Sequence, residues 1–181
     1  MLAKGEEKSL VKAGWIDRLK NPASFISISM TLGNLLTIDQ IIPEMKATER
    51  WSAIVELVDL LVIQEQIKPA DRDTVLAALR AREETMSTGI GFGIAIPHAS
   101  SERVDKVVAA FGRSTAGIEF DSLDNAPVKF VVMFVVPKDQ FQIHLRTLAA
   151  IAKFLNDRTV REHLGAATDA DGILKIFEGK V

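Results

Sequence analysis

The sequence predicts an α/β fold, with a largely parallel or mixed sheet covered on both faces. Three observations carry that prediction. Residues 128–136 are nearly all apolar, as a strand buried on both faces must be. Apolar residues recur at helical spacing on either side of that run. They do so at Trp51, Ile54, Val55, Val58, Leu61 and Val62, and again at Leu145, Leu148, Ile151, Ala152 and Leu155. Short β-rich runs alternate with these helical stretches along the chain, which is the pattern of layered α/β domains.

Residues 1–30 stand apart as an N-terminal extension. Leu10, Val11, Trp15, Ile16 and Leu19 share one face of a short helix that Asn21-Pro22 would close. Residues 24–30 then alternate serine with Phe25, Ile26 and Ile28, as an edge strand does. The domain proper occupies residues 31–181. Residues 32–36 read as a helical turn, and Ile41-Ile42 as a short strand interrupted by Pro43. Thr48 is the predicted N-cap of a helix reaching about Gln66. Asp71 or Asp73 caps the next helix, in which Val75, Leu76 and Leu79 face inward and Arg82-Glu83 close the last turn. A cation there complements the helix dipole, so Arg82 has a structural role open to it before any functional one.

The stretch 87–100 follows, reading Ser-Thr-Gly-Ile-Gly-Phe-Gly-Ile-Ala-Ile-Pro-His-Ala-Ser. Gly89, Gly91 and Gly93 allow close approach to the main chain. Ile94, Ala95 and Ile96 form a short strand, and Pro97, lacking an N–H, ends its pairing. His98 is thereby predicted just past a strand end, where open α/β sheets place their ligands. An imidazole there titrates near neutral pH and is a nucleophile when neutral. Phe92 reads as a packing residue first, with the apolar rim of a partner's docking site as the alternative. Residues 107–113 form a strand, 117–120 a turn and bridge, 121–127 a polar loop, and Pro137-Lys-Asp-Gln a loop after the buried strand. A helix over about 141–156 holds His144 in its first turn. Helical segments near 158–164 and 169–177 end the chain.

Composition excludes several classes of function. With 181 residues, 48% hydrophobic and 25% charged, the chain is of ordinary globular type and long enough to bury a core. A formal charge of −2 provides no basic footprint, so nucleic acid is not an expected partner. The chain has no cysteine, which removes disulfides, thiolate chemistry and cysteine-bound zinc. The densest apolar run is too short to cross a bilayer, and the first residues lack a secretory signal, so a cytoplasmic protein without membrane insertion is expected. The glycines do not form a dinucleotide fingerprint, because Ile94 stands where its third glycine belongs. No Gly-x-Ser-x-Gly elbow occurs. His98, His144 and His163 lack paired carboxylates at metal-ligand spacing, so no metal site is predicted, and His163 reads as a surface residue.

Two blocks of sequence resemble a known family. The first is Arg82-Glu83, Ser87-Thr88-Gly89 and Gly93-Ile-Ala-Ile-Pro-His98-Ala99. The second is Phe120-Asp-Ser-Leu-Asp-Asn-Ala-Pro-Val128, followed by Pro137 and His144-Leu-x-x-Leu148. Together they resemble the type-2 (fructose/mannitol) enzyme IIA domains of the bacterial phosphoenolpyruvate-dependent phosphotransferase system. The second block looks most like the nitrogen-regulatory branch. Ala99 stands where many members of that branch have glycine. The resemblance covers about residues 31–181 and says nothing of the extension.

It implies a three-layer α/β/α fold with a mixed, about five-stranded sheet, and no cofactor. It places the phosphorylated histidine on His98, the active-site arginine on Arg82 and a second histidine on His144. The implied donor is HPr, the small histidine phosphocarrier, or its nitrogen-branch counterpart. The leading expectation is a phosphoryl carrier acting as a nitrogen-regulatory IIA, with regulatory target proteins downstream. Two alternatives stand beside it: a sugar-specific IIA that passes phosphate to a IIB domain, and an unphosphorylated binding module of the same fold. Phosphoryl transfer between proteins needs an in-line nucleophile and cations on the equatorial oxygens, and these residue types supply both. Trp15 and Phe25 in the extension offer apolar surface for a homo-oligomer.

Overall fold

The computed structural model of the protein describes residues 32–180, without the side chains of residues 141–146. The helix and strand expected within residues 1–30 therefore lie outside the described residues. A short helix α1 (Leu32–Leu35) leads through a 3-10 turn to β1 (Ile41–Ile42). Next come α2 (Arg50–Ile63) and α3 (Arg72–Thr85). Four further strands precede the long apolar one: β2 (Gly89–Gly91), β3 (Ile94–Ala95), β4 (His98–Ser101) and β5 (Val108–Ile118). The buried strand is β6 (Val128–Pro137). The chain ends in α4 (Phe141–Asn156), α5 (Arg158–Ala166) and α6 (Ala170–Phe177).

Among the described residues the sheet is mixed and six-stranded, in the order β1-β5-β6-β3-β2, with β4 also on β6. β5 runs antiparallel to β6, whereas β3 and β4 both run parallel to it. The strand beyond the expected five arises because residues 94–101 pair with β6 in two pieces, broken at Ile96-Pro97. From Phe130 on, the side chains of β6 alternate between two cores, and Val128, beyond the irregularity in the β5–β6 pairing, joins the core of Val131. Val128, Val131, Met133 and Val135 meet α2 and α3, while Phe130, Val132 and Phe134 meet α1 and α4–α6. A period of two along a strand buried on both sides requires both layers to be apolar, and both are.

Two boundaries differ from the sequence expectation. Glu49, not Thr48, is the N-cap of α2, because the Thr48 carbonyl is taken by the Glu119 N–H at 2.9 Å. That helix stops at Ile63, and the N–H groups of Gln66 and Ile67 turn back onto the Leu61 carbonyl. The stretch 117–120 is not a separate turn: β5 continues through a bulge to Ile118 before the bridge from Glu119 to Glu49.

One buried cation fastens the C-terminal helices to the sheet. Arg113 on β5 is 8% exposed. Its Nε donates to the Pro43 carbonyl at 2.8 Å, and its Nη1 to the carbonyls of Leu164 at 3.0 Å and Ala167. The Leu164 and Ala167 carbonyls lie at and beyond the end of α5, where a helix has no partners for them. The guanidinium satisfies them and meets the negative end of the helix dipole. Leaving such buried groups unpaired costs about 1–3 kcal/mol each. Arg113→Met is therefore expected to lower stability by about 2–4 kcal/mol, read from the urea midpoint. A loss below about 1 kcal/mol would show that these carbonyls find other partners.

Candidate functional site

His98 opens β4 rather than lying beyond a strand, as the sequence suggested. Pro97 has no N–H to give, yet its carbonyl accepts the Phe134 N–H at 2.9 Å. The ladder therefore crosses the proline through its acceptor and resumes with His98 opposite Phe134. Phe134 faces the layer of α4–α6, and paired residues of parallel strands share a face, so position 98 lies on that side of the sheet.

The half-buried imidazole is oriented by a single main-chain group. His98 Nδ1 lies 2.8 Å from the Ile96 carbonyl oxygen. A carbonyl can only accept, so in the neutral ring Nδ1 carries the proton and Nε2 holds the free electron pair. The Ile96 N–H in turn donates to the Thr88 carbonyl at 3.0 Å. Thr88 is held by Glu83, whose Oε1 accepts the Thr88 N–H at 2.8 Å and whose Oε2 accepts the Thr88 hydroxyl at 2.6 Å.

The sequence placed Glu83 beside Arg82 in the last turn of α3 and gave it no role at the site. It is 2% exposed. The available signal was its spacing, since Glu83 continues the buried stripe of Val75 and Leu79 on α3. Arg82 is in the last turn, where Nη1 donates to the Met86 carbonyl at 2.9 Å. It thus serves the helix end as expected, and its charge also reaches His98.

His144 stands in the opening turn of α4, with its side chain outside the description. Pro137, paired with Ser101 at the end of β4, leads through one 3-10 turn (Lys138–Gln140) into that helix. The start of α4 is therefore a short chain segment away from the ends of β4 and β6. His163 is exposed on α5, as expected, and is not part of this cluster.

The glycine-rich stretch has a different task from the one expected. Phe92 and Gly93 form a tight turn between β2 and β3, with φ of 55° and 75°. Positive φ at both central positions marks the turn that favours Asn-Gly. Phe92 is not a packing residue: it is 65% exposed, with the Arg161 guanidinium 5.5 Å above its ring. Asp124 holds the tip by accepting the Phe92 N–H at 2.8 Å. A Cβ at position 89 would lie 2.8 Å from Ser122 Cα, so Gly89 lets the 121–127 loop approach the hairpin. That turn lies at the Phe130 end of β6, whereas His98 pairs at Phe134.

The electrostatics favour a neutral ring. Burial is the main cause lowering the His98 pKa below the usual 6.5, and the Arg82 charge adds to it. The Ile96 hydrogen bond and the Glu83 charge act in the opposite direction. Together these features yield an oriented imidazole held toward its neutral form, with the Arg82 charge acting on it, an arrangement fit to receive an electrophile bearing negative oxygens.

Comparison with known proteins adds three findings. The family model described as phosphoenolpyruvate-dependent sugar phosphotransferase system, EIIA 2, matches residues 34–180. The chain is 38% identical over 133 residues to the PTS system fructose-specific EIIA component of Haloferax volcanii, covering 74% of this chain and 85% of that one. It is also 29% identical over 148 residues to the nitrogen regulatory protein of Bradyrhizobium diazoefficiens, covering 82% of this chain and 95% of that one. Among solved structures, the nitrogen regulatory protein IIA-Ntr of Neisseria meningitidis superposes with a TM-score of 0.73 at 29% identity. That match covers 81% of this chain and 98% of the other.

The His98 environment has a measurable consequence. Its imidazole is expected to titrate with a midpoint below 6.5, followed by NMR of the ring protons. Arg82→Gln removes one cause of that depression and should move the midpoint up. A wild-type midpoint above 6.5, or a downward move in the variant, would contradict the assignment of causes.

Proposed function

The chain belongs to the type-2 EIIA family of the phosphoenolpyruvate-dependent sugar phosphotransferase system, and from that premise we propose that it is a phosphoryl carrier. It accepts a phosphoryl group on His98 from an HPr-like histidine phosphocarrier. The observation that carries this reading is the Nδ1 contact with the Ile96 carbonyl, which leaves Nε2 as the attacking atom.

Transfer is a displacement at phosphorus. The Nε2–P bond forms as the donor's N–P bond breaks, and the donor imidazole keeps the electron pair of the broken bond. The His98 ring then carries positive charge, spread over Nδ1–H, and the Ile96 carbonyl stabilises that charge without first having to reorient. Arg82 offers its planar fork to the equatorial phosphoryl oxygens. His144 is assigned to the same oxygens, and its place in the opening turn of α4 adds the partial positive charge of a helix start. A depressed His98 pKa supports the reaction, since only the neutral ring is a nucleophile.

Downstream, we assign the chain a nitrogen-regulatory role, in which the phosphorylation state is read by target proteins. The second reading is a fructose-type IIA that passes the group to a IIB domain, and the 38% identity to a fructose-specific EIIA component favours it. Residues 31–181 form the carrier domain, with 1–30 as an appended extension. A chain shortened to start near Ser29 should accept phosphate within a few-fold of the full rate. Loss of acceptance with the fold intact would place part of the site in the extension.

Phosphoenolpyruvate, enzyme I and an HPr-like carrier should label the protein, and His98→Ala should take up no phosphate while remaining folded. The label should be lost in mild acid and kept in alkali, as a phosphoramidate is. Undiminished labelling of the variant removes the proposal. Arg82→Lys keeps the charge and loses the fork, and losing one preorganised donor costs about 2.7–4 kcal/mol. The expected rate is about 10²-fold lower at a thermal midpoint near that of the wild type. A near-normal rate would leave Arg82 as a helix-end cation only.

A further inference from the structure

We propose that Glu83 is the positioning residue for His98: by gripping Thr88 with both carboxylate oxygens, it fixes the Ile96 carbonyl that dictates which imidazole nitrogen is free. The inference deepens the phosphoryl-carrier reading and rests on it for its kinetic consequence. A buried carboxylate needs an explanation, because desolvating a charge is costly unless it is well paired. Among the described residues no Lys or Arg lies within ion-pair distance of Glu83. Its partners are the two donors of a single residue, Thr88, at 2.8 and 2.6 Å. Charge-assisted bonds to neutral donors are short and directional, so they hold position better than an apolar contact would.

The position held is the one the nucleophile depends on. Thr88 immediately precedes β2, and its carbonyl carries the Ile96 N–H at 3.0 Å. Ile96 lies in the break between β3 and β4, outside either ladder, so this bond registers the Ala95–Ile96 peptide, one residue of chain before the carbonyl that meets His98. The Ile96 carbonyl then meets His98 Nδ1 at 2.8 Å. From Glu83 to the imidazole, each link is a hydrogen bond or a single residue of chain. If the Thr88 end shifts, the Ile96 carbonyl rotates and Nδ1 is free to exchange its proton with Nε2. The wrong tautomer leaves Nε2 protonated and unable to attack. Misplacements of about 1 Å at reacting groups can cost about 10²-fold in rate.

Two substitutions separate reach from charge. Glu83→Gln keeps the length and can still engage both Thr88 groups, its oxygen accepting the Thr88 N–H and its NH2 donating to the hydroxyl oxygen, but it loses the charge. Glu83→Asp keeps the charge and falls short by one methylene. The readouts are the tautomer of His98, by nitrogen-15 NMR at a pH where the ring is neutral, and phosphorylation by an HPr-like donor. For Glu83→Gln the expected result is the wild-type tautomer and a saturated rate within about 3-fold of wild type. For Glu83→Asp it is a mixture of tautomers and a saturated rate at least about 10-fold lower, with the donor KM unchanged.

A wild-type tautomer and rate in Glu83→Asp would overturn the proposal. So would a slow Glu83→Gln whose tautomer is intact, since that outcome assigns the effect to charge. Should Glu83→Asp not fold, Thr88→Val and Thr88→Ser take its place. Valine is then expected to mix the tautomers and serine to preserve them, and identical behaviour of the two would overturn the proposal. Failure of the carrier reading is a separate result: the wild type would take no phosphate, while the tautomer comparison would still stand.

Discussion

The geometry of the site depends on one hydrogen bond, from the Phe134 N–H to the Pro97 carbonyl. β6 is the shared partner of β3 and β4, and the proline lies at the junction between them. A proline in a strand normally marks an edge, because it cannot donate. Here the donor is not required at that point, and the acceptor keeps the chain on β6. The break frees the Ile96 carbonyl from the sheet and turns it toward the His98 ring. The same residue that interrupts the strand thus makes room for the group that orients the nucleophile, and the ladder resumes at once to hold the His98 backbone rigid.

Around that backbone, opposing electrostatic influences meet on one ring. Burial and Arg82 press His98 toward neutrality, whereas the Ile96 carbonyl and Glu83 support a positive ring. A phosphoryl acceptor needs both, since it attacks as a neutral base and ends as a cationic phosphoimidazole. Arg82 disfavours the proton on the ring and favours the negative oxygens of the arriving group. Glu83 is behind the scaffold and positions the ring through the hydrogen bonds that hold Thr88.

The regular parts of the fold were legible because they follow from periodicity. The helix expected over 141–156 is found as Phe141–Asn156, and the apolar run at 128–136 is β6 with one residue more. The resemblance carried the layer order and the mixed sheet. What escaped the sequence were features set by contacts distant along the chain. Thr48 looked like a cap, but its carbonyl pairs with Glu119. Glu83 was legible only as part of a helix end, and its buried bonds to Thr88 were not. Phe92 read first as packing, yet it sits on a turn where both central residues have positive φ and is largely exposed. His98 was legible as a candidate from its neighbours Pro97 and Ile96, although the resumption of the ladder at that residue was not, because β pairing across a proline depends on which edge the partner occupies.

The central claim is that the Ile96 carbonyl selects Nε2 of His98 as the atom that receives phosphate. The direct measurement is phosphorus–nitrogen coupling in the phosphorylated protein, made with nitrogen-15 in the histidine rings. The account predicts coupling to Nε2 of residue 98, with Nδ1 still protonated. Coupling to Nδ1, or to a ring nitrogen of His144 or His163, would contradict it.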